Sequence, residues 1–427
     1  MGRVLCREAR RSEFVHTLGQ RHGAWRTTRE PLRHRDQVVK VLYSFPHPIG
    51  APGIGLTAWH QVDALARAGV DVTVVCTSVR KRFDAELPVH TLSLLGPVRP
   101  RMVGLNRTYS LHDWVVSQLI RSLKPDLVHL WPRAVLKSAA MARLMGLVSV
   151  REAPSPYTRL AVQQARAAWA EIGLPVPQGH FHDLGEEQLT LEDAEFAAVD
   201  FVIVGSEQAA ASFGVAPFPV QVRVNEYGYD DRVQQSRRRT IGGLSRDFVF
   251  IGRLEPTKGV HQLLECWAAA SPPEGAGLVL YGDIDASTLK RLGPLLSHDH
   301  VRLGGYCNNV ESVLDSADVL VLPSRSEGSA LVGYEALGRG VIPLVSDASG
   351  CPVVHGVSGL VHHAGDSAQL TGHLKAVLAD TSLVSRLRHG GREERGKWTW
   401  EASGRRLAAL YDDLLNAPRR VPAQGAS

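Results

Sequence analysis

The chain has 427 residues, 44% apolar and 21% charged, with 48 Lys and Arg against 43 Asp and Glu, a formal net charge of +5. These are the proportions of a globular protein long enough for two domains, and no apolar run approaches the roughly 18 residues of a membrane-spanning helix. Cys6, Cys76, Cys266, Cys307 and Cys351 are scattered and form no C-x-x-C pair, which argues against a disulfide framework or a structural zinc site and for a reducing, cytoplasmic compartment.

Much of the positive charge is local. Residues 1–38 hold nine Arg between Arg3 and Arg35, with little apolar periodicity and without the continuous apolar core of a secretory signal. This basic, disordered N-terminal extension is open to three readings. It is a solvated tail, a patch for anionic lipid at the inner face of the membrane or for an anionic acceptor, or an extension from an upstream start codon. Nucleic acid is not an expected partner, because no recognition module or aromatic-interleaved basic stretch occurs.

From residue 39 the pattern becomes regular. Residues 39–45 read as a strand, 56–68 as an apolar-periodic helix closed by Gly69, and 72–76 as a second strand, a βαβ opening that implies parallel pairing. The loop G-A-P-G-I-G-L-T, 50–57, nearly fits a P-loop, but Leu56 stands at the lysine position. That leaves no ammonium for the β/γ-phosphates and weighs against a phosphotransferase. Gly53, Gly55 and Ala58 also fit a dinucleotide fingerprint. The second strand, however, is followed by Thr77 and Ser78 rather than a ribose-binding carboxylate, so NAD is not expected.

Further strands are predicted at 127–130, 147–150, 201–204 and 220–224, with helices at 110–123 and 134–145. Alternation places His129 and Trp131 on the same side of their strand. Glu152, next to Arg151, reads either as a polar residue facing an acceptor or as half of a surface ion pair. Residues 153–177, rich in Pro, Arg and Tyr, read as loops with a short helix above the sheet edge. The charged stretch 232–246, containing Gly242 and Gly243, is the predicted domain boundary.

The second half supplies cations and carboxylates in strand-to-helix loops. Residues 247–251 read as a strand, G-R-L-E-P-T-K-G (252–259) as a loop, and 260–270 as a helix. Arg253 and Lys258 therefore share one loop at the carboxyl edge of a sheet, where open α/β folds bind ligands. Residues 317–322 read as a buried strand broken by Pro323, and 331–339 as a helix. Glu327 then falls in the loop and Glu335 about two turns into the helix. Between them lie the unpaired N–H groups of a helix start, a ready cradle for phosphate. Carboxylates that accept from sugar and ribose hydroxyls on either side of such a cradle suit a sugar nucleotide. Residues 398–411 read as a turn and helix, and 416–427 as a disordered tail.

Together these runs resemble glycosyltransferase family 4, the retaining nucleotide-sugar enzymes of the GT-B fold with an E-x7-E motif. The likeness extends from about Val39 to Leu415. V-F-I-G-R-L-E-P-T-K-G resembles the opening of the family's C-terminal domain, V-R-L-G-G-Y (301–306) its base-binding turn, and H-G-V-S-G-L-V (355–361) its glycine-bracketed loop. The most specific stretch is A-D-V-L-V-L-P-S-R-S-E-G-S-A-L-V-G-Y-E-A-L-G-R-G-V-I-P, 317–343.

The resemblance implies an α/β chain of two Rossmann-like doubly wound domains facing across a cleft. The N-terminal, acceptor-side domain spans 39–235, with helix 398–415 packing back onto it, and the C-terminal donor domain spans 246–397. Arg253 and Lys258 would hold the donor diphosphate, Glu327 the transferred sugar and Glu335 the ribose. Gly328, Ala330, Leu331 and Val332 would approach the distal phosphate, with Tyr306 at the base and Gly55 facing the donor from the other domain. His129, Trp131 and Glu152 are the acceptor-side candidates.

Ser329 and Ala330 stand where many members carry an aromatic-glycine pair, and Trp131 where many carry a second His. Trp cannot act as an acid or base but can stack on a sugar face. The expected function is transfer of a sugar from a UDP- or GDP-linked donor to a glycan, lipid-linked sugar or small metabolite, with no cofactor or metal. The alternatives are a non-catalytic nucleotide-sugar-binding protein and an epimerase or hydrolase.

Overall fold

The computed structural model describes residues 38–92, 104–233 and 246–419. The basic extension up to residue 37, the greater part of the 232–246 boundary and residues 420–427 of the tail lie outside the described residues. Two parallel sheets, both inside one compact unit, Val39–Ser427, organise the molecule.

The first sheet contains β1 (Lys40–Ile49), β2 (Asp71–Val79), β3 (Val89–Thr91), β4 (Leu127–Leu130), β5 (Val148–Ala153), β6 (Phe201–Val204) and β7 (Val222–Val224), in the order β3-β2-β1-β4-β5-β6-β7. Its central strands are near-continuous apolar runs because helices cover both faces. On one face Trp59, Val62 and Leu65 of α1 (Ile54–Arg67) pack with Leu407, Tyr411 and Leu414 of the last helix, Trp400–Asn416. On the other lie Val116 and Ile120 of α2 (Leu105–Leu123), Ala139 and Ala142 of α3 (Leu136–Leu144), and Phe196.

Two helices of this domain differ from expectation. The 153–177 stretch contains α4 (Thr158–Glu171), a full 14 residues rather than a short helix. Its buried Ala161, Val162, Ala165, Ala168 and Trp169 form one stripe, while Arg and Gln occupy the other side. α5 (Glu186–Ala198) was not anticipated, because its buried face includes Glu192 and Glu195. Both carboxylates pair with Arg151, at 2.5 Å and 3.0 Å. α6 (Glu207–Ser212) follows β6 and is capped by the Ser206 hydroxyl.

The second sheet contains β8 (Asp247–Ile251), β9 (Gly277–Tyr281), β10 (Val301–Gly305), β11 (Val319–Leu322), β12 (Ile342–Ser346) and β13 (Leu360–His362), in the order β10-β9-β8-β11-β12-β13. α7 (Val260–Ala270), α8 (Ala286–Leu296), α9 (Val310–Ser316), α10 (Leu331–Arg339), α11 (Ser367–Ala379) and α12 (Thr381–Glu394) flank it, and α13 (Trp400–Asn416) returns to the first sheet. Both sheets share the doubly wound arrangement in which strand order reverses beside the first strand. Ligands of such folds bind at that reversal, outside the carboxyl ends of the strands. In the second sheet the reversal lies between β8 and β11. No helix among the described residues is long and apolar enough to cross a membrane.

Candidate active site

The loops after β8 and β11 meet at that reversal. The first closes as a 3-10 turn, Pro256–Lys258, ending on Gly259 in the left-handed region at φ +69°. A Cβ on Gly259 would lie 2.2 Å from the Pro323 carbonyl oxygen, so the two loops pack backbone against backbone only because this residue is glycine. The Arg325 N–H donates to the Thr257 carbonyl at 2.8 Å and ties the loops together. This brings Lys258 Nζ to 2.5 Å from Glu327 Oε1, which also accepts from Ser324 Oγ at 3.2 Å. Lys258 and Glu327 stay partly open, their side chains 20% and 19% exposed.

Arg253 stands beside them. Its Nε and Nη2 donate to Glu255 Oε2 at 3.0 Å and 2.8 Å, and its guanidinium lies 4.6 Å from the Phe181 ring. Burial alone would raise the Glu255 carboxyl. Hydrogen bonds from His180 and Thr257, with the charges of Lys258 and Arg253, outweigh it and hold the group down to about 2. Sequence reasoning missed Glu255 and His180. Glu255 was visible between two cations of one loop, whereas His180 reaches it from 75 residues away and left no local signal.

α10 starts at Leu331 without a side-chain cap. Ala330 spends its N–H on the Ser349 carbonyl at 3.0 Å, so it is not the open donor expected of it. Leu331 and Val332 keep N–H groups with no acceptor among the described residues. Gly328 presses on the first domain: a Cβ there would sit 2.1 Å from the Pro154 carbonyl oxygen, and Ser206 Oγ donates to the Gly328 carbonyl at 2.5 Å. Glu335 lies half-buried on the second turn of α10. Burial pushes its carboxyl up to about 7, with the Glu311 charge adding to the rise and Arg339 opposing it. Tyr306, after β10, is 59% exposed. Gly55 is buried in the first turn of α1, where a Cβ would meet the Pro48 carbonyl at 2.7 Å. Tight packing of that turn therefore already requires its glycine.

The acceptor-side candidates are placed otherwise than expected. His129, Trp131 and Glu152 are all fully buried. Trp131 fills the core against Phe45 and donates from Nε1 to the Tyr43 hydroxyl at 2.7 Å, so its face is not open to a sugar. Glu152 forms no surface pair with Arg151. It accepts from the Tyr227 hydroxyl at 2.8 Å and Gln61 Nε2 at 3.2 Å, and faces His129 Nε2 at 3.3 Å. Neighbouring residues of a strand point to opposite faces, which sends Arg151 instead to Glu192 and Glu195. His129 and Trp131 do share one side, as alternation requires.

Comparison with known proteins bears on the fold and the family. The model for glycosyl transferases group 1 matches residues 231–394, and that for Glycosyltransferase Family 4 matches residues 52–171. A D-inositol 3-phosphate glycosyltransferase from Geodermatophilus obscurus is 27% identical over 267 residues, 55% of this chain and 56% of that protein. The chain thus spans little more than half the length of that relative. A putative teichuronic acid biosynthesis glycosyltransferase, TuaC of Bacillus subtilis, is 24% identical over 71% of this chain and 79% of its own.

Among solved structures, sucrose-phosphate synthase from Thermosynechococcus elongatus superposes with a TM-score of 0.64 at 20% identity, covering 89% of this chain and 100% of that one. HepE of Anabaena, solved in complex with UDP-glucose, gives 0.61 at 17% identity over 88% and 99%. At these identities the structural likeness is one of fold. With matches to glycosyltransferase models in both halves, residues 52–171 and 231–394, and the strand-order reversal in each sheet, the chain carries the GT-B fold of the glycosyltransferases it resembles.

Proposed function

We propose that this glycosyltransferase moves a sugar from a nucleotide-diphosphate donor to an acceptor hydroxyl with retention at the anomeric carbon. The supporting observation is the convergence of Lys258 and Glu327, from two separate loops, beside Arg253 at the reversal of the second sheet. In this reading the ligand parts the ion pair. Glu327 accepts from hydroxyls of the transferred sugar, Lys258 and Arg253 take the diphosphate, and the Leu331 and Val332 amides receive the distal phosphate. Glu335 accepts from the ribose.

Negative charge grows on the diphosphate as its bond to the anomeric carbon breaks. Fixed cations there stabilise the transition state more than the ground state. The burial of His129 and Glu152 leaves neither as a base facing the cleft, which favours a route in which the leaving phosphate itself takes the acceptor proton. The new carbon–oxygen bond then forms on the face from which the phosphate departs. Neutralisation by side chains rather than by a divalent ion is part of this proposal, and transfer is expected to survive EDTA.

The test is a thermal-shift panel with UDP, GDP, ADP, dTDP and their glucose, mannose and N-acetylglucosamine conjugates, since a ligand raises stability by mass action. The UDP-glucose bound to HepE makes uridine nucleotides the first to try. A response that disappears in Lys258→Ala, followed by transfer to a hydroxylated acceptor, supports the reading. No response to any of them overturns it.

A further inference from the structure

Arg253 belongs to the second sheet, yet what fixes it comes partly from the first. The segment after α4 crosses to the other domain. Arg291 Nε donates to the Ile172 carbonyl at 2.8 Å, and Glu171 Oε2 accepts from Arg325 Nη2 at 2.6 Å and faces His261 Nε2 at 3.1 Å. At its far end His180, with a side chain only 7% exposed, reaches the loop after β8. His180 Nδ1 accepts the His182 N–H at 3.1 Å, which leaves Nε2 to carry the ring proton and donate it to Glu255 Oε2 at 3.0 Å. His180 Nε2 and Arg253 Nη2 thus donate to the same oxygen, Glu255 Oε2, and the neighbouring Phe181 ring lies 4.6 Å from the guanidinium.

We propose that His180 is a positioning residue for the donor diphosphate, acting from the opposite domain by holding Glu255 so that the Arg253 guanidinium is fixed with one edge free. This deepens the nucleotide-sugar reading and rests on it. The guanidinium is held through Nε and Nη2, while Nη1 has no acceptor among the described residues. An arginine whose side chain is 47% exposed would otherwise sample many rotamers, and each one lost on binding weakens affinity. With the Glu255 carboxylate behind it, held by His180, and the Phe181 ring beside it, Nη1 is left as the donor for an incoming phosphate oxygen. A group that is anchored before the ligand arrives gives up less entropy in making that hydrogen bond.

The test is calorimetric titration of UDP, UMP, GDP and GMP into the full chain, wild type and variant. In His180→Ala, affinity for the diphosphate that wild type binds is expected to fall about tenfold, on the order of one charge-assisted hydrogen bond. Affinity for the matching monophosphate should change less than about twofold, because the base, ribose and α-phosphate contacts remain. His180→Gln, which can offer an amide N–H to Glu255, should recover most of the loss.

Should His180→Ala fold poorly, Glu255→Gln carries the test, since it releases the same guanidinium edge and should show the same selectivity for the second phosphate. An equal loss for mono- and diphosphate, or no loss, overturns the positioning role while leaving the donor site standing. Wild type that binds none of the four overturns the nucleotide reading itself, and this inference with it.

Discussion

Lys258 and Glu327 neutralise each other across the two loops, so each is held near the position its chemistry requires. A partly exposed pair of this kind contributes about 0–1 kcal/mol to stability. Lys258→Ala and Glu327→Ala should therefore each lower transfer by at least about a hundredfold while moving Tm by no more than a few degrees. Product assays beside thermal melts check both, and normal transfer by either purified variant would sink the assignment. Glu335 gives a pH signature. Its carboxyl is pushed up to about 7 by burial and by Glu311, so the folded state holds this proton more tightly than the unfolded chain does. The cost of ionising it in the fold grows as pH rises from the unfolded value near about 4.3 through the folded one, and is complete above that. Glu335→Gln cannot ionise, and should raise the Tm of the unliganded protein at about pH 8 while leaving it unchanged near about pH 4. Ribose hydroxyls donating to the carboxylate would lower its pKa again, so nucleotide affinity should strengthen between about pH 6 and about pH 8. Calorimetry at the two pH values should find a steeper slope in wild type than in Glu335→Gln, where only the ionisation of the nucleotide's own terminal phosphate, with a pKa of about 6, remains.

At the scale of elements, two loops hold the site, and Gly259 is where they interlock. Gly259→Ala places a methyl against the Pro323 carbonyl at a left-handed φ of +69°. The backbone strain alone is about 1–2 kcal/mol, and the clash adds to it by forcing the loops apart. We expect a clear fall in Tm and loss of the nucleotide response. Gly356→Ala is the control, since its φ is +74° but its Cβ would meet nothing within 4 Å, so it should show strain without loss of binding. These loops could be read from the sequence because strand, turn and helix succeed one another locally. V-L-V-L is a buried strand, Pro323 ends it, and α10 runs over Leu331–Arg339 as its spacing predicts. α5 was illegible for the opposite reason. Its Glu192 and Glu195 look like a solvated face, and only Arg151 from a distant strand allows them to be buried. Burial also misled the reading of β4 and β5, whose polar residues serve an internal network rather than an acceptor. His180 was unreadable because Glu255, the partner that gives it meaning, lies in the other domain.

At the scale of the whole molecule, the chain enters the first sheet, builds the second, and returns to finish the first. Tyr411 of α13 hydrogen-bonds His129 Nδ1 at 2.7 Å across a sequence separation of 282 residues. Leu407, Tyr411 and Leu414 are fully buried among residues of β1, β2 and α1. Fully burying each such side chain stabilises a fold by about 1.5–3 kcal/mol. Together they amount to a large part of the roughly 5–15 kcal/mol that keeps an ordinary domain folded. Without α13 the first sheet also exposes an apolar face and leaves His129 Nδ1 without its hydrogen-bond partner in the core. A fragment of residues 38–233 should therefore be poorly soluble or lack a cooperative melt, although it contains every strand of its sheet. The same fragment joined by a flexible linker to residues 398–419 should regain a sharp transition, because the linker restores the missing face without any part of the second sheet. Circular dichroism melts of both fragments decide the matter. A cooperative transition in 38–233 alone, at the temperature of the full chain, would mean that α13 only decorates the first domain. Rescue by the joined helix would mean that the polypeptide must cross the second domain before the first can be completed.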